Sequence, residues 1–191
     1  MRIWIFALAS MVLACPAAAS ERFQSHQLPL FFAKNEGQAD ARIRYVSRGR
    51  NLTLALGRGE AFLTPGGSRE LPIRIRFGHA IEPEGLDPLP WRSNFLMGND
   101  PALWRTGVAK YSKVRYRNVR PGIDLIYHGS QRQLEFDFVV APGADYRKIT
   151  LRFEGAKKLR IAGNGDLLVQ TANGELRQHK PVVYTAAGTA T

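Results

Sequence analysis

Apolar and polar residues trade places along most of this chain with a period of two. Ile43 and Tyr45 alternate with Arg42 and Arg44; Leu52, Leu54 and Leu56 form a second run; Leu71, Ile73, Ile75 and Phe77 alternate with Pro72, Arg74 and Arg76. The fullest stretch is Tyr111 to Val140. In it Val114 and Tyr116 alternate with Arg115 and Arg117, Pro121-Gly122 breaks the run, Ile123, Leu125 and Tyr127 follow, and Leu134, Phe136 and Phe138 then alternate with Glu135 and Asp137. This period puts one set of side chains on a buried face and the other in water, which is the signature of antiparallel strands. Apart from a turn near Ala102 to Arg105, no stretch of ten residues has helical periodicity. The pattern therefore predicts an all-β, antiparallel, β-sandwich-like domain with hairpins and little helix.

Turn chemistry divides the runs. Asn164-Gly165 and Asn173-Gly174 bracket Leu167 to Gln170 and precede Glu175 to Gln178. Asn-Gly favours the positive backbone angles of tight hairpins, so the C-terminal part reads as a β-meander. Leu159 and Ile161 alternate as its first strand, and Pro181 to Tyr184 is the last strand. Ile81 to Trp91, with three prolines and three acids, reads as an irregular crossing loop. Ser93 to Met97 is a short strand.

The start of the chain has another character. Met1-Arg2 precedes the twelve-residue apolar run Ile3 to Ala14, then Cys-Pro-Ala-Ala-Ala-Ser and a polar turn at Glu21-Arg22. Positive start, apolar centre and small-residue cleavage site describe a secretory signal peptide, and the run is shorter than the ~20 residues that span a bilayer. Residues 1–19 are expected to be removed after Ala19, with cleavage after Ser20 the alternative. Cys15 behind Val12-Leu13-Ala14 resembles a lipobox, so a lipoprotein anchored at Cys15 is the other processing route; Pro16 and the short leader speak against it. Loss of the only cysteine leaves no disulfide, thiol nucleophile or thiolate metal site. Residues 20–27 read as a flexible lead-in, 28–184 as the folded domain, and 185–191 as a tail without fold signal.

Charge adds a candidate chemistry. Twenty arginines and seven lysines against sixteen acids leave a formal net charge of +11. Outward strand positions Arg42, Arg44, Arg74, Arg76, Arg115 and Arg117 form a candidate surface for a polyanion, such as an anionic glycan, nucleic acid or another envelope component, because guanidinium groups bind phosphate and carboxylate in bidentate fashion. The competing reading sets each arginine against Glu or Asp on a neighbouring strand, where an exposed pair contributes about 0–1 kcal/mol.

Catalytic and metal chemistry find weaker support. Glu135 and Asp137 share a strand face, as a glycosidase pair would; facing the arginines of the adjacent strand is their structural role. His79, His128 and His179 have no nucleophile elbow nearby. Gly163-Asn164-Gly165-Asp166 lacks the ligand alternation of a calcium loop and reads as a turn. Trp91 and Trp104, with Asn94, Asn99 and Asp100 between them, either stack on sugars or pack inside. No cofactor, metal or small-molecule substrate is expected, and no enzyme.

Several long motifs recur in a fixed order. FFAKNEGQAD, the run from Gly85 to Asp145 and the closing GELRQHKPVVY together resemble the N-terminal domain of unknown function that precedes seven-bladed β-propeller (SBBP) repeats in large bacterial exported proteins. The resemblance covers about Leu28 to Tyr184. It implies an all-β module of an extracellular or cell-surface protein with a structural or interaction role and no catalytic residues to carry over. Members of that family continue beyond the PVVY strand, whereas this chain stops at Thr191, so that either the reading frame is truncated or the domain works alone with its last hairpin incomplete. An incomplete last hairpin would then leave an edge for association.

Overall fold

A computed structural model describes residues 11–13, 30–49, 52–66, 72–130, 133–172, 174–185 and 188–190. It is all-β. The first strands are β1 (Met11–Leu13), β2 (Phe32–Lys34), β3 (Tyr45–Arg48), β4 (Leu52–Leu56), β5 (Glu60–Pro65) and β6 (Ile73–Arg76). The middle of the chain supplies β7 (Glu84–Pro88), β8 (Ser93–Phe95), β9 (Arg105–Val108), β10 (Lys110–Arg120), β11 (Ile123–Ser130) and β12 (Gln133–Val140). After these come β13 (Arg152–Glu154), β14 (Lys158–Ile161), β15 (Leu167–Gln170), β16 (Glu175–Gln178), β17 (Val183–Thr185) and β18 (Gly188–Ala190). Two single-turn 3₁₀ helices, Pro101–Leu103 and Tyr146–Lys148, are capped by the side chains of Asp100 and Asp145; the first is the turn expected near Ala102.

One curled antiparallel sheet follows the path β13-β6-β5-β4-β3-β2-β10-β11-β12-β1-β16-β15-β14, with β7 added on β10. Only residues 155–157 separate β13 from β14, so the first and last strands of the path are neighbours in sequence. The sheet folds over itself. Leu54, Leu56, Leu63, Ile73, Ile75 and Phe77 from β4 to β6 and the segment after it meet Val114, Tyr116, Leu125, Tyr127, Phe136 and Phe138 from β10 to β12 in one core. Burying each such side chain contributes about 1.5–3 kcal/mol relative to leaving it wet. Rings lock the two layers together: Phe77 lies 4.7 Å from Tyr116 and 6.2 Å from Tyr127. The Tyr116 hydroxyl donates to Gly57 O at 2.8 Å, so the one polar atom of that ring is satisfied across the layers.

Pro121-Gly122 turns β10 into β11, with Gly122 at φ +73, the left-handed position that a Pro-Gly turn needs. Just before it the pattern slips. Asn118 sits at φ 51, and the register shifts between Tyr116 and Arg120. This bulge changes the phase of β10, so that Val119 enters the core and Arg120 points outward. The Asp124 carboxylate accepts from Asn118 N at 2.8 Å and holds the bulge.

Two segments depart from the sequence reading. Residues 84–88, expected in an irregular loop, form β7, which pairs antiparallel with Tyr111 to Arg115. Its sequence lacks apolar alternation because its main-chain hydrogen bonds and Glu84 hold it. Gly85 is required there: a Cβ would lie 2.5 Å from the Tyr111 ring, and its N–H donates to the Tyr45 hydroxyl at 2.9 Å. The last strand expected, at Pro181 to Tyr184, is β17, and the tail beyond it, expected to carry no fold, supplies β18, which pairs with β17. Gly188-Thr189-Ala190 leaves no hydrophobic period to read.

Of the expected leader, Met11–Leu13 is described and lies antiparallel between β12 and β16. The rest of the leader, the cleavage site, Cys15 and the lead-in at 20–27 fall outside the described residues.

Candidate functional site

The six outward arginines do not converge on one patch. Arg42 and Arg44 lie just before β3, Arg74 and Arg76 lie on β6, and Arg115 and Arg117 lie on β10. Each faces an acid. Arg42 binds Asp40 at 3.1 Å, and Arg44 binds Glu82 at 3.0 Å. Arg74 is held between Glu60 at 2.5 Å and Glu154 at 3.2 Å. Arg115 and Arg117 both bind Glu84, the latter at 2.9 Å. Partial burial pushes the Glu84 carboxyl up, but hydrogen bonds from Arg117 and Arg115 outweigh it and hold the group below its ordinary value. Arg76 is the loosest of the six, 3.9 Å from a Glu154 oxygen, too long for a hydrogen bond.

Glu135 and Asp137 behave differently from the reading that faced them toward arginines. Both are buried, 5% and 7% exposed, and their cross-strand neighbours on β11 are His128 and Ile126. His128 Nε2 lies 2.8 Å from Asp137 Oδ2, and its Nδ1 lies 3.9 Å from Glu135. The arginines are one strand too far away, since β11 stands between β10 and β12. A polar groove of about 690 Å³ opens over this face, with Lys113, Arg115 and Arg117 on one side and Asp124, His128 and Asp137 on the other. Both ring nitrogens of His128 thus face carboxylates. No group of three His, Cys, Asp or Glu side chains fit to hold a metal occurs among the described residues.

The other candidates resolve into local structure. Asp166 ties the meander together: it accepts from Asn164 Nδ2 at 2.9 Å and Lys180 N at 3.0 Å, with Arg177 at 3.4 Å and His179 at 3.3 Å. The Asn164 hydrogen bond, aided by Lys180 and His179 against some desolvation, holds its carboxyl below the ordinary range. Asn94 accepts from Gly107 N at 2.9 Å, and Trp104 Nε1 donates to Gly98 O at 3.2 Å, so this section supports the β8-β9 ribbon. Trp91, however, is 42% exposed.

Two features escaped the pattern. Lys110 is buried against the Phe31 ring, 4.1 Å from its centroid, and burial pushes its ammonium pKa down. Its neighbours in sequence mark it as an ordinary strand residue, and only the fold brings Phe31 over it. The second is a cleft of about 720 Å³ whose lining includes Arg76, His79, Arg120 and Arg152 but no carboxylate. Arg76 and Arg152 sit directly opposite each other on β6 and β13. Only Arg76 of this set was legible as an outward strand arginine; Arg120 arrives through the bulge, and Arg152 through a pairing of strands nearly 80 residues apart.

No curated protein and no solved structure matches this chain. A family match does cover residues 32–191, most of the chain and all of the folded strands from β2 onward. The chain belongs to the family described as Domain of unknown function (DUF7948).

Proposed function

We propose that this protein is an exported, non-enzymatic β-module that serves a structural or interaction role at the bacterial cell surface or exterior, of the kind that precedes seven-bladed β-propeller repeats. The observation that carries the reading is how the polar groups are used. Five of the six outward arginines are engaged with carboxylates, and both ring nitrogens of His128 face Asp137 and Glu135, an arrangement that holds strands rather than one poised to take a substrate proton. Residues 1–19, with their charged start and apolar centre, support export. Cell fractionation with N-terminal sequencing tests this reading: an exported chain starting at Ser20 or Glu21 is expected, and a cytosolic chain retaining Met1 overturns it. Lipid on Cys15 would replace cleavage after Ala19 by the anchored route.

A second reading is polyanion binding by the basic surface. The loosely paired Arg76, alone among the six candidates, favours it, since it opens on a cleft without acids. Arg42, Arg44, Arg74, Arg115 and Arg117 would have to give up carboxylate partners to bind. Retention on heparin that persists at ~0.15 M salt supports this reading, and loss of retention at that salt removes it.

A further inference from the structure

The cleft at Arg76, Arg120 and Arg152 is built unlike the other basic surfaces. The Arg152 side chain makes no hydrogen bond or ion pair with any described residue, yet Arg152 stands in register with Arg76. Like charges directly opposite on a sheet are destabilising; Arg76 has Glu60 opposite it on β5 and a Glu154 oxygen at 3.9 Å, whereas Arg152 has no ion pair among the described residues. Arg120 is the third cation. Its Nε donates to Lys148 O at 2.9 Å, its Nη1 to Phe77 O at 3.0 Å and Val119 O at 2.6 Å, and its Nη2 to Thr150 Oγ1 at 2.6 Å. These acceptors are neutral. They fix the guanidinium in place without cancelling its charge, and of its five N–H groups one remains unused.

We propose that this cleft binds a phosphate or sulfate group carried on a saccharide, which deepens the polyanion reading and rests on it. An oxyanion placed among the three guanidinium groups offsets the repulsion between Arg76 and Arg152 and accepts bidentately from the exposed fork of Arg152. His79 at the rim adds a further N–H donor. Leu151, Phe153 and Leu159 line the same cleft and give an apolar wall against which a sugar ring can lie. Nucleic acid fits less well: the cations form one compact cluster rather than a stripe that follows a backbone.

The test is calorimetry on the processed, exported protein with four probes: glucose 6-phosphate, a sulfated heparin disaccharide, inorganic phosphate and a DNA duplex. One of the two saccharides is expected to bind one to one, more tightly than inorganic phosphate, and which of them binds identifies the anion. Arg152→Ala is expected to weaken that binding by about tenfold or more with no loss of Tm, since it also relieves the repulsion with Arg76, and Arg152→Glu to abolish it; Arg117→Ala is expected to leave it intact. Unchanged affinity in Arg152→Ala, with a loss in Arg117→Ala, overturns the cleft but leaves polyanion binding standing. Tighter binding of DNA than of either saccharide overturns the saccharide assignment, and binding of no anion at all overturns both readings.

Discussion

Strands β11 and β14 carry the same kind of sequence and meet opposite fates. In β11, Ile123, Leu125 and Tyr127 alternate with polar neighbours and are almost wholly inaccessible, Leu125 at 0%. In β14, Leu159 and Ile161 alternate just as regularly, yet they are 46% and 65% exposed, and the whole strand is exposed. The difference is position. β11 has a strand on each side and a facing layer built by β4 to β6, whereas β14 ends the strand path and pairs with β15 alone. Alternation states which residues share a face; whether another layer covers that face depends on the rest of the chain. The lesson extends to the arginines, since Arg74 and Arg76 alternate identically on β6, but Arg74 has two acids within 3.2 Å and Arg76 has none that close.

Substitution separates the two strands most sharply. Leu125→Ala is expected to cost about 2–5 kcal/mol, because the two packed layers cannot collapse into the gap, while Leu159→Ala should stay within about 0.5 kcal/mol. Denaturant unfolding of both variants checks this; equal losses would mean that β14 is covered in solution.

Next in size is the effect of removing residues 1–19. Among the described residues, the meander β14-β15-β16 is hydrogen-bonded to the rest of the sheet only through Met11–Leu13, although Val169 and Leu176 still reach the core. Hydrogen exchange of β16 amides should speed up by about tenfold or more on removal of the leader, a loss of about 1.4 kcal/mol in opening free energy, while β11 stays protected. Identical protection before and after removal would show that core packing alone seats the meander.

Asn118→Ala should cost about 1–2 kcal/mol, because a left-handed residue acquires a less tolerant side chain, and Asn118→Gly should be harmless. Thermal unfolding of the pair distinguishes backbone strain from loss of the amide group.

The smallest effect is confined to acid. Asp166 has its carboxyl pKa lowered in the fold, chiefly by Asn164. Its contribution is therefore complete above the unfolded value, about 3.9, and is lost as pH falls through the lower folded value. Exchange of the Lys180 amide, which donates to Asp166, should rise over that window before β11 responds. Asn164→Ala should move the rise to higher pH.

Much of the architecture was legible because it is written locally. Alternation located β3, β4, β6 and β10 to β12, Pro-Gly marked the β10-β11 turn, and Asn-Gly marked the meander. The misses share a cause. β7 and β18 are held by main-chain pairing, which any sequence free of steric conflict can join, so no periodicity announced them. Glu135 and Asp137 were placed on the correct strand face but given the wrong partners, because the strand order, not the strand itself, put His128 between them and the arginines.

The alternating pattern was enough to determine which side chains of a strand lie together and where the chain reverses, since both follow from the geometry of a few consecutive residues. Which strands became neighbours was decided only in three dimensions. That choice covered Leu125 and left Ile161 in water, gave Arg74 its acids, and set Arg152 beside Arg76 without one, because burial and charge compensation are properties of surfaces assembled from distant segments.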